Sequence, residues 1–216
     1  MELLNNVLNK IDIYDVILLS TFCVCLYNKL KGYTSLPYLF YFISIITFLE
    51  VILQVYWVMG YKSNHFIYLI NCLISISYYF YIYYQHFKQK KWSKLILISF
   101  FIWLVFAFLK YDFNMYSQSI VSSPYLLGLG TVSVLILKYA YDIIHVDEFR
   151  KINKEPLLYF SLGIFVFFVS SFIHLFLIDS LVLDVNIPLR FKELLSYVNI
   201  FLTLGYLFAA LCSKRE

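Results

Sequence analysis

The sequence predicts an all-α, multi-pass membrane protein: one domain over residues 1–216, seven spanning helices, the N-terminus outside and the C-terminus cytoplasmic. Three observations predict it. Of 216 residues, 62% are hydrophobic and only 14% charged, with a mean hydropathy of +0.78, far from the balance of a soluble domain. The apolar residues are gathered into runs, and a span needs about 20 of them; seven such runs lie near 13–29, 37–58, 65–87, 94–110, 125–145, 156–178 and 191–212. The prolines fit the same division: Pro37, Pro124 and Pro156 stand at expected first turns and Pro188 in the last connection, where a missing N–H costs little.

The N-terminal stretch MELLNNVLNKIDIYD carries Glu2, Asp12 and Asp15 against Lys10, without the basic start or small-residue cleavage site of a secretory signal, so the first helix is expected to be retained. Gly32 and Gly60 mark short turns around the second helix. Inside that helix lies Glu50. A charge near the centre of a span costs about 3 kcal/mol on insertion scales and more on others, so it should face protein or a wet cavity. Thr47, Glu50, Gln54 and Trp57 follow steps of three, four and three along one helix face. The third helix repeats the device with Asn64, Tyr68, Asn71, Ser75 and Tyr78. Lipid offers these groups no hydrogen-bond partner, so the two stripes should turn towards each other.

The 21 Tyr and 22 Phe exceed what interfacial belts need and imply ring packing between helices; the YYFYIYY segment reads as such packing and as interfacial anchors. The fourth helix is short and is followed by an amphipathic stretch. In the fifth, Lys138 and Asp142 are spaced to pair at i,i+4. The sixth carries Ser170, Ser171 and His174, and the seventh a stripe of Ser196, Asn199, Thr203 and Tyr206.

Helix rise places these groups in depth. Glu50 falls roughly 20 Å beyond Pro37 and Asn71 roughly 10 Å below the outer face, and His174 also lies towards that side. Glu50, Gln54, Asn71, His174 and Asn199 are therefore the candidate ligand-binding residues, in the outer half of the bundle. Plain interhelical hydrogen bonding is an alternative role for Asn71, Ser75, Ser170, Ser171, Asn199 and Thr203.

Orientation follows from lysine and arginine. Eleven lie in the first, third and fifth connections and the C-terminus, against five on the opposite side, and basic loops stay cytoplasmic. Two basic groups, Lys88, Lys90 and Lys91 around Trp92 and Arg150 with Lys151, are the candidate partner-docking residues; contact with anionic headgroups of membrane lipids is their simpler role.

Other function classes lack their signatures. A scattered net charge of +4 argues against nucleic acid. Cys23, Cys25, Cys72 and Cys212 have no Cys-x-x-Cys spacing, so neither a disulfide framework nor a metal site is expected. The chain has no nucleophile elbow, P-loop or Rossmann glycine pattern, so neither enzymatic activity nor a cofactor is expected. Lys192 stands only at the entrance of the seventh helix, which argues against a retinal Schiff base.

The order of YFISIITFLEVILQ, NHFIYLI, the basic turn KQKKWSKLI, EPLLYFSLGIFVFFVSS and YVNIFLTLGYLFAALCSK resembles a group of small seven-helix membrane proteins of Bacteroidetes, largely uncharacterised, whose genes often lie beside a sensor histidine kinase. The resemblance covers nearly the whole chain. It matches the family's acidic residue of helix 2 with Glu50, its Pro-Leu-aromatic start of helix 6 with Pro156, Leu157 and Tyr159, and its helix 7 asparagine with Asn199. A second acidic residue in helix 3 is absent here, and Leu195 replaces a histidine one turn before that asparagine. The resemblance implies an inner-membrane protein with a sensory or accessory role, taking a small or lipid-like ligand and acting through a separate partner such as a histidine kinase. A small proton-coupled transporter, a lipid-modifying membrane enzyme and a structural subunit are the alternatives. No oligomeric state follows from the sequence.

Overall fold

The computed structural model describes residues 12–59, 65–89, 91–110, 118–145, 154–180 and 189–215, with side chains described at all of these except 57, 65, 118–123, 174–180, 189–196 and 214–215. In order the elements are α1 (Ile13–Lys31), β1 (Tyr33–Thr34), α2 (Leu39–Val58), α3 (His65–Phe87), α4 (Trp92–Lys110), α5 (Gln118–His145), α6 (Pro156–Ser180), α7 (Leu189–Leu211) and β2 (Lys214–Arg215). Among the described residues, α1 to α6 are each long and apolar enough to cross a membrane, and α7 contributes a shorter apolar run, Tyr197–Leu211. The chain is a multi-pass helical membrane protein.

Three helix starts differ from those read off the sequence. Pro37 precedes α2 rather than opening it: Tyr38 adopts a left-handed φ of 59°, and Leu39 N–H closes a turn on Leu36 O at 3.2 Å before the helix begins. Helix α4 begins two residues early, so Trp92 is its first residue. Helix α5 begins at Gln118, which makes Pro124 an interior residue. A proline there leaves one carbonyl, that of Ile120, without its i→i+4 donor, a loss that neighbours and local adjustment can absorb within a membrane helix. The polar run before Pro124 gave no apolar signal, yet it continues the helical ladder upstream.

The chain falls into two compact units, one holding Phe40–Leu135 and the other Asp12–Leu39 with Ile136–Glu216; α5 contributes to both. In the first, α2 buries Phe42, Ile43, Ile46, Leu49 and Leu53, spaced by three and four residues, and turns Tyr41, Ile45, Phe48 and Val51 outward as a lipid-facing ridge. Aromatic rings interlock the helices: Phe42 stacks on Tyr78 with centroids 4.1 Å apart, and Phe80 meets Phe100 at 5.5 Å and Trp103 at 6.1 Å. Trp103 is fully buried and donates its Nε1–H to Pro124 O at 2.9 Å, tying α4 to α5.

In the second unit α6 and α7 pack through glycine. A Cβ on Gly205 would lie 2.9 Å from both Gly163 Cα and Tyr159 O, and one on Gly163 would lie 3.1 Å from Gly205 Cα. Phe160 meets Tyr206 at 5.3 Å and Tyr159 meets Phe208 at 5.8 Å, so advance along α6 matches retreat along α7 and the two are antiparallel. Helix α1 also packs on α7, with Asn28 Nδ2 donating to Ala210 O at 2.7 Å. Beyond that bond Gly32 turns α1 back at a φ of 70°, and β1 pairs antiparallel with β2, Tyr33 opposite Arg215 and Thr34 opposite Lys214. The C-terminal ends of α1 and α7 therefore meet, and the two helices run in the same direction. This pairing has no counterpart in the all-α expectation. Lys138 and Asp142 form the expected ion pair, the Lys138 ammonium lying 5.2 Å from the Tyr141 ring.

Candidate functional site

Helix α2 delivers Glu50 and Gln54 to the flank of its buried stripe. Glu50 follows Ile43 by seven residues and Ile46 by four, which turns it towards the interior, and both polar side chains are half-buried. Thr47 lies beside them, but its Oγ1 donates to Ile43 O at 2.8 Å, so its hydroxyl is committed within the helix. Glu50 is the twelfth residue of a 20-residue helix, roughly 17 Å along it and just past mid-helix.

The stacked Phe42 and Tyr78 fix the register of α3 against this face. Val58 lies roughly 24 Å beyond Phe42 and His65 roughly 20 Å before Tyr78; a parallel pair would set these ends more than 40 Å apart, beyond the roughly 25 Å that the short connection spans. The helices are therefore antiparallel. Glu50 lies about 12 Å from the ring pair along α2 and Asn71 about 10 Å from it along α3, on one level. Ser75 Oγ donates to Asn71 Oδ1 at 3.1 Å, which orients the amide. Along α3 the stripe descends inward: Tyr68 is exposed, Asn71 half-buried, and Ser75 and Tyr78 buried. Trp57 and Asn64, the outer members of the two stripes, lie outside the described side chains and residues respectively.

A carboxylate, a carboxamide and an oriented Asn–Ser pair on facing helices can accept from hydroxyl or amine groups and donate to carbonyls, beside apolar walls. That suits a small polar head on an apolar body. No protein-family model, curated protein or solved structure matches the chain. The site therefore rests on its own geometry.

The remaining candidates divide between the units. Asn199 lies half-buried on α7 in the second unit, its backbone carbonyl accepting from Thr203 Oγ1 at 2.8 Å. Thr203 and Tyr206 from the same stripe are buried, and Tyr206 serves the ring contact with Phe160. The side chains of His174 and Ser196 lie outside the described residues. Ser133 on α5 and Ser171 on α6 are buried with no hydrogen-bond partner among the described residues, so the bridge expected of Ser171 is not made there. Of the docking candidates, Lys88 and Lys91 are exposed on the α3–α4 turn and Trp92 is half-buried at the start of α4; Lys90, Arg150 and Lys151 lie outside the described residues. Among the described residues no three His, Cys, Asp or Glu side chains come together as a metal site.

Sequence reasoning did not single out Trp103, Gly163 or Gly205. Gly205 and Ala209 are spaced four apart on α7, the small-residue pattern of close helix pairs, and that spacing was the available signal.

Proposed function

We propose that this is a seven-span inner-membrane protein, N-terminus outside and C-terminus cytoplasmic, that binds a small or lipid-like ligand between α2 and α3 in its outer half and serves a sensory or accessory role. The span count is supported by parity. The ends of α1 and α7 meet, so the chain between them crosses the membrane an even number of times; α2 to α6 would give five crossings, and α7 supplies the sixth. The distribution of lysine and arginine supports the orientation. Impermeant thiol labelling of Ser63→Cys and Lys91→Cys should report opposite sides.

The observation that carries the ligand reading is the half-buried Glu50 held level with the Asn71–Ser75 pair. A carboxylate at mid-helix is a costly group, and such groups mark binding or ion-handling sites by default. The protein acts on the ligand by binding rather than by catalysis, and its output passes through a separate membrane partner, for which a histidine kinase is the first candidate on the resemblance of the sequence. The Lys88–Trp92 turn supplies a basic surface with an aromatic anchor for that contact.

Glu50→Gln tests the reading, because it keeps shape and removes charge. The expected result is a folded protein, with Tm in detergent within a few degrees of wild type, that no longer retains a small molecule copurifying from the native membrane and seen by mass spectrometry. If Glu50→Leu still retains it, the site lies elsewhere; substrate flux through reconstituted vesicles that Glu50→Gln abolishes would replace the sensory reading with a transporter.

A further inference from the structure

Building on the α2–α3 ligand site proposed above, we infer that it takes a neutral lipid, one headed by a carbonyl or hydroxyl group rather than a charge, and takes it sideways from the bilayer. The seam between the two helices opens at one level. On α2 the inward face carries Leu39, Ile43 and Ile46, all buried, and Glu50 continues that face four residues after Ile46, yet it is only half-buried. On α3 the same change comes at Asn71, which is half-buried although Ser75, Tyr78 and Ile82 along its face are buried. Beyond Leu53 on α2 and before Cys72 on α3, none of the described side chains is buried. Tight packing on one side of this level and loose packing on the other leave a cleft, with Glu50 and Asn71 at its inner end.

The cleft lies within the hydrocarbon layer. Helix α2 has 20 residues, about 30 Å, which is the thickness of that layer. Glu50 is about 12 Å short of its end at Val58, and Asn71 about 9 Å past the start of α3 at His65. A phosphate or ammonium head lies outside the layer, and drawing one in by roughly 10 Å meets the cost of an ion in hydrocarbon. A carbonyl or hydroxyl costs far less to bury and recovers that cost through a hydrogen bond. Asn71 is set to make one: with Oδ1 accepting from Ser75 Oγ, its Nδ2 is the group left for a ligand. Glu50 has a partner inside the protein, so recognition of such a head rests on the Asn71 amide rather than on a free charge.

The way in is from the side. Val51, next to Glu50, and Tyr68, one turn from Asn71, are both exposed, which within a bilayer means exposed to lipid. Towards the α2–α3 connection the described side chains other than Gln54 are apolar or aromatic. They give a hydrocarbon tail a surface to lie on and give a water-soluble ligand no polar path.

Photolabelling tests this on the full-length protein in phosphatidylcholine nanodiscs. The discs carry a trace of a diacylglycerol with a diazirine at the start of one chain, or of the phosphatidic acid with the same chains, which differs by the phosphate alone. Label is counted relative to the exposed α4 face at Phe101, Ile102 and Val105, which reports ordinary lipid contact. The diacylglycerol should mark residues 47–54 and 68–75 roughly fivefold more strongly than the phosphatidic acid does, the effect of about one hydrogen bond. Asn71→Leu should remove that preference and leave the α4 label unchanged. Equal labelling by the two probes in wild type overturns the inference, as does a preference that survives in Asn71→Leu. Unlabelled dioleoylglycerol and decylubiquinone compete, and the stronger of the two assigns the carbonyl to a glycerol ester or to a quinone ring; displacement by neither overturns the neutral-lipid assignment. A charged or water-soluble molecule that copurifies with wild type and is lost in Glu50→Gln would overturn that assignment too, while leaving the ligand site itself in place.

Discussion

In the unit built from α2, α3, α4 and the first part of α5, rings hold the helices at a distance and fill the space between them, as where Phe80, Phe100 and Trp103 form a three-ring cluster. In the unit of α1, α6 and α7 the closest contact is made by the absence of side chains, at Gly163 and Gly205. Lipid is as apolar as the side chains, so neither contact gains from the removal of water, and both depend on packing and polar bonds. Ring pairs give about 0.5–1.5 kcal/mol each and can tilt to accommodate change. A backbone contact gains from close approach of Cα–H to carbonyl oxygen, about 0.5–1 kcal/mol each, and has no rotatable group with which to yield. One unit should therefore degrade gradually under substitution, and the other abruptly.

The largest effect is expected at the rigid contact. Gly205→Val adds three carbons where even the first would come within 2.9 Å of the Gly163 backbone and Tyr159 O. The expected loss is about 3 kcal/mol or more, because only movement of whole helices can make room. Thermal unfolding in detergent and the monodisperse fraction on gel filtration should both collapse. A Gly205→Val protein with unchanged Tm would show that the approach of α6 to α7 is incidental to their association.

The ring-packed unit supplies the contrast. A Cβ on Gly128 would come as close, 2.7 Å from Trp103 Nε1 and 2.9 Å from Ile76 Cγ2, but both are side-chain rather than backbone atoms, and room is made at the expense of the Trp103 bond to Pro124 O rather than by moving whole helices. Gly128→Ala should cost about 1 kcal/mol, clearly less than Gly205→Ala, whose neighbours are backbone. Trp103→Phe, which keeps a ring and removes the bond to Pro124 O, should also cost about 1 kcal/mol. Equal losses in the two glycine variants would dissolve the distinction between the units.

The two kinds of contact also differ in how far the sequence revealed them. Apolar runs place the helices within a few residues, and Pro156 opens α6 as its position implies. Pro124 misled because a first-turn position is only the commonest place for proline, and a tryptophan bond to its own carbonyl leaves no local mark. Abundant Tyr and Phe announced ring packing but not which rings meet. The common level of Glu50 and Asn71 follows from helix rise alone once the two helices are antiparallel. The surroundings of Asn199 carry no such mark, since its helix neighbours in the second unit are chosen by glycine contacts. The β1–β2 clasp was beyond reach: two residues at each end of a 180-residue separation carry no pattern, and their pairing follows from how α1 meets α7.

The smallest effect tests whether that clasp is a consequence of helix packing or a support for it. Asn28 Nδ2 bonds the carbonyl of Ala210, a group in the last turn of α7 that also accepts from Ser213 N–H at 3.3 Å just past the helix end. Interhelical bonds of this kind average about 0.6 kcal/mol in membrane proteins, so Asn28→Ala should barely move the global Tm. Its effect should be local, because the bond lies between the helix ends and the strands they carry. If packing of α1 on α7 dictates the clasp, amides of 33–34 and 214–215 should keep most of their protection in Asn28→Ala, with exchange faster by about threefold at most. If the bond is what aligns the strands, protection there should disappear while the Gly163–Gly205 region stays unchanged. We expect the first outcome, since α1 packs directly on α7 and the strands add only two paired positions to that contact.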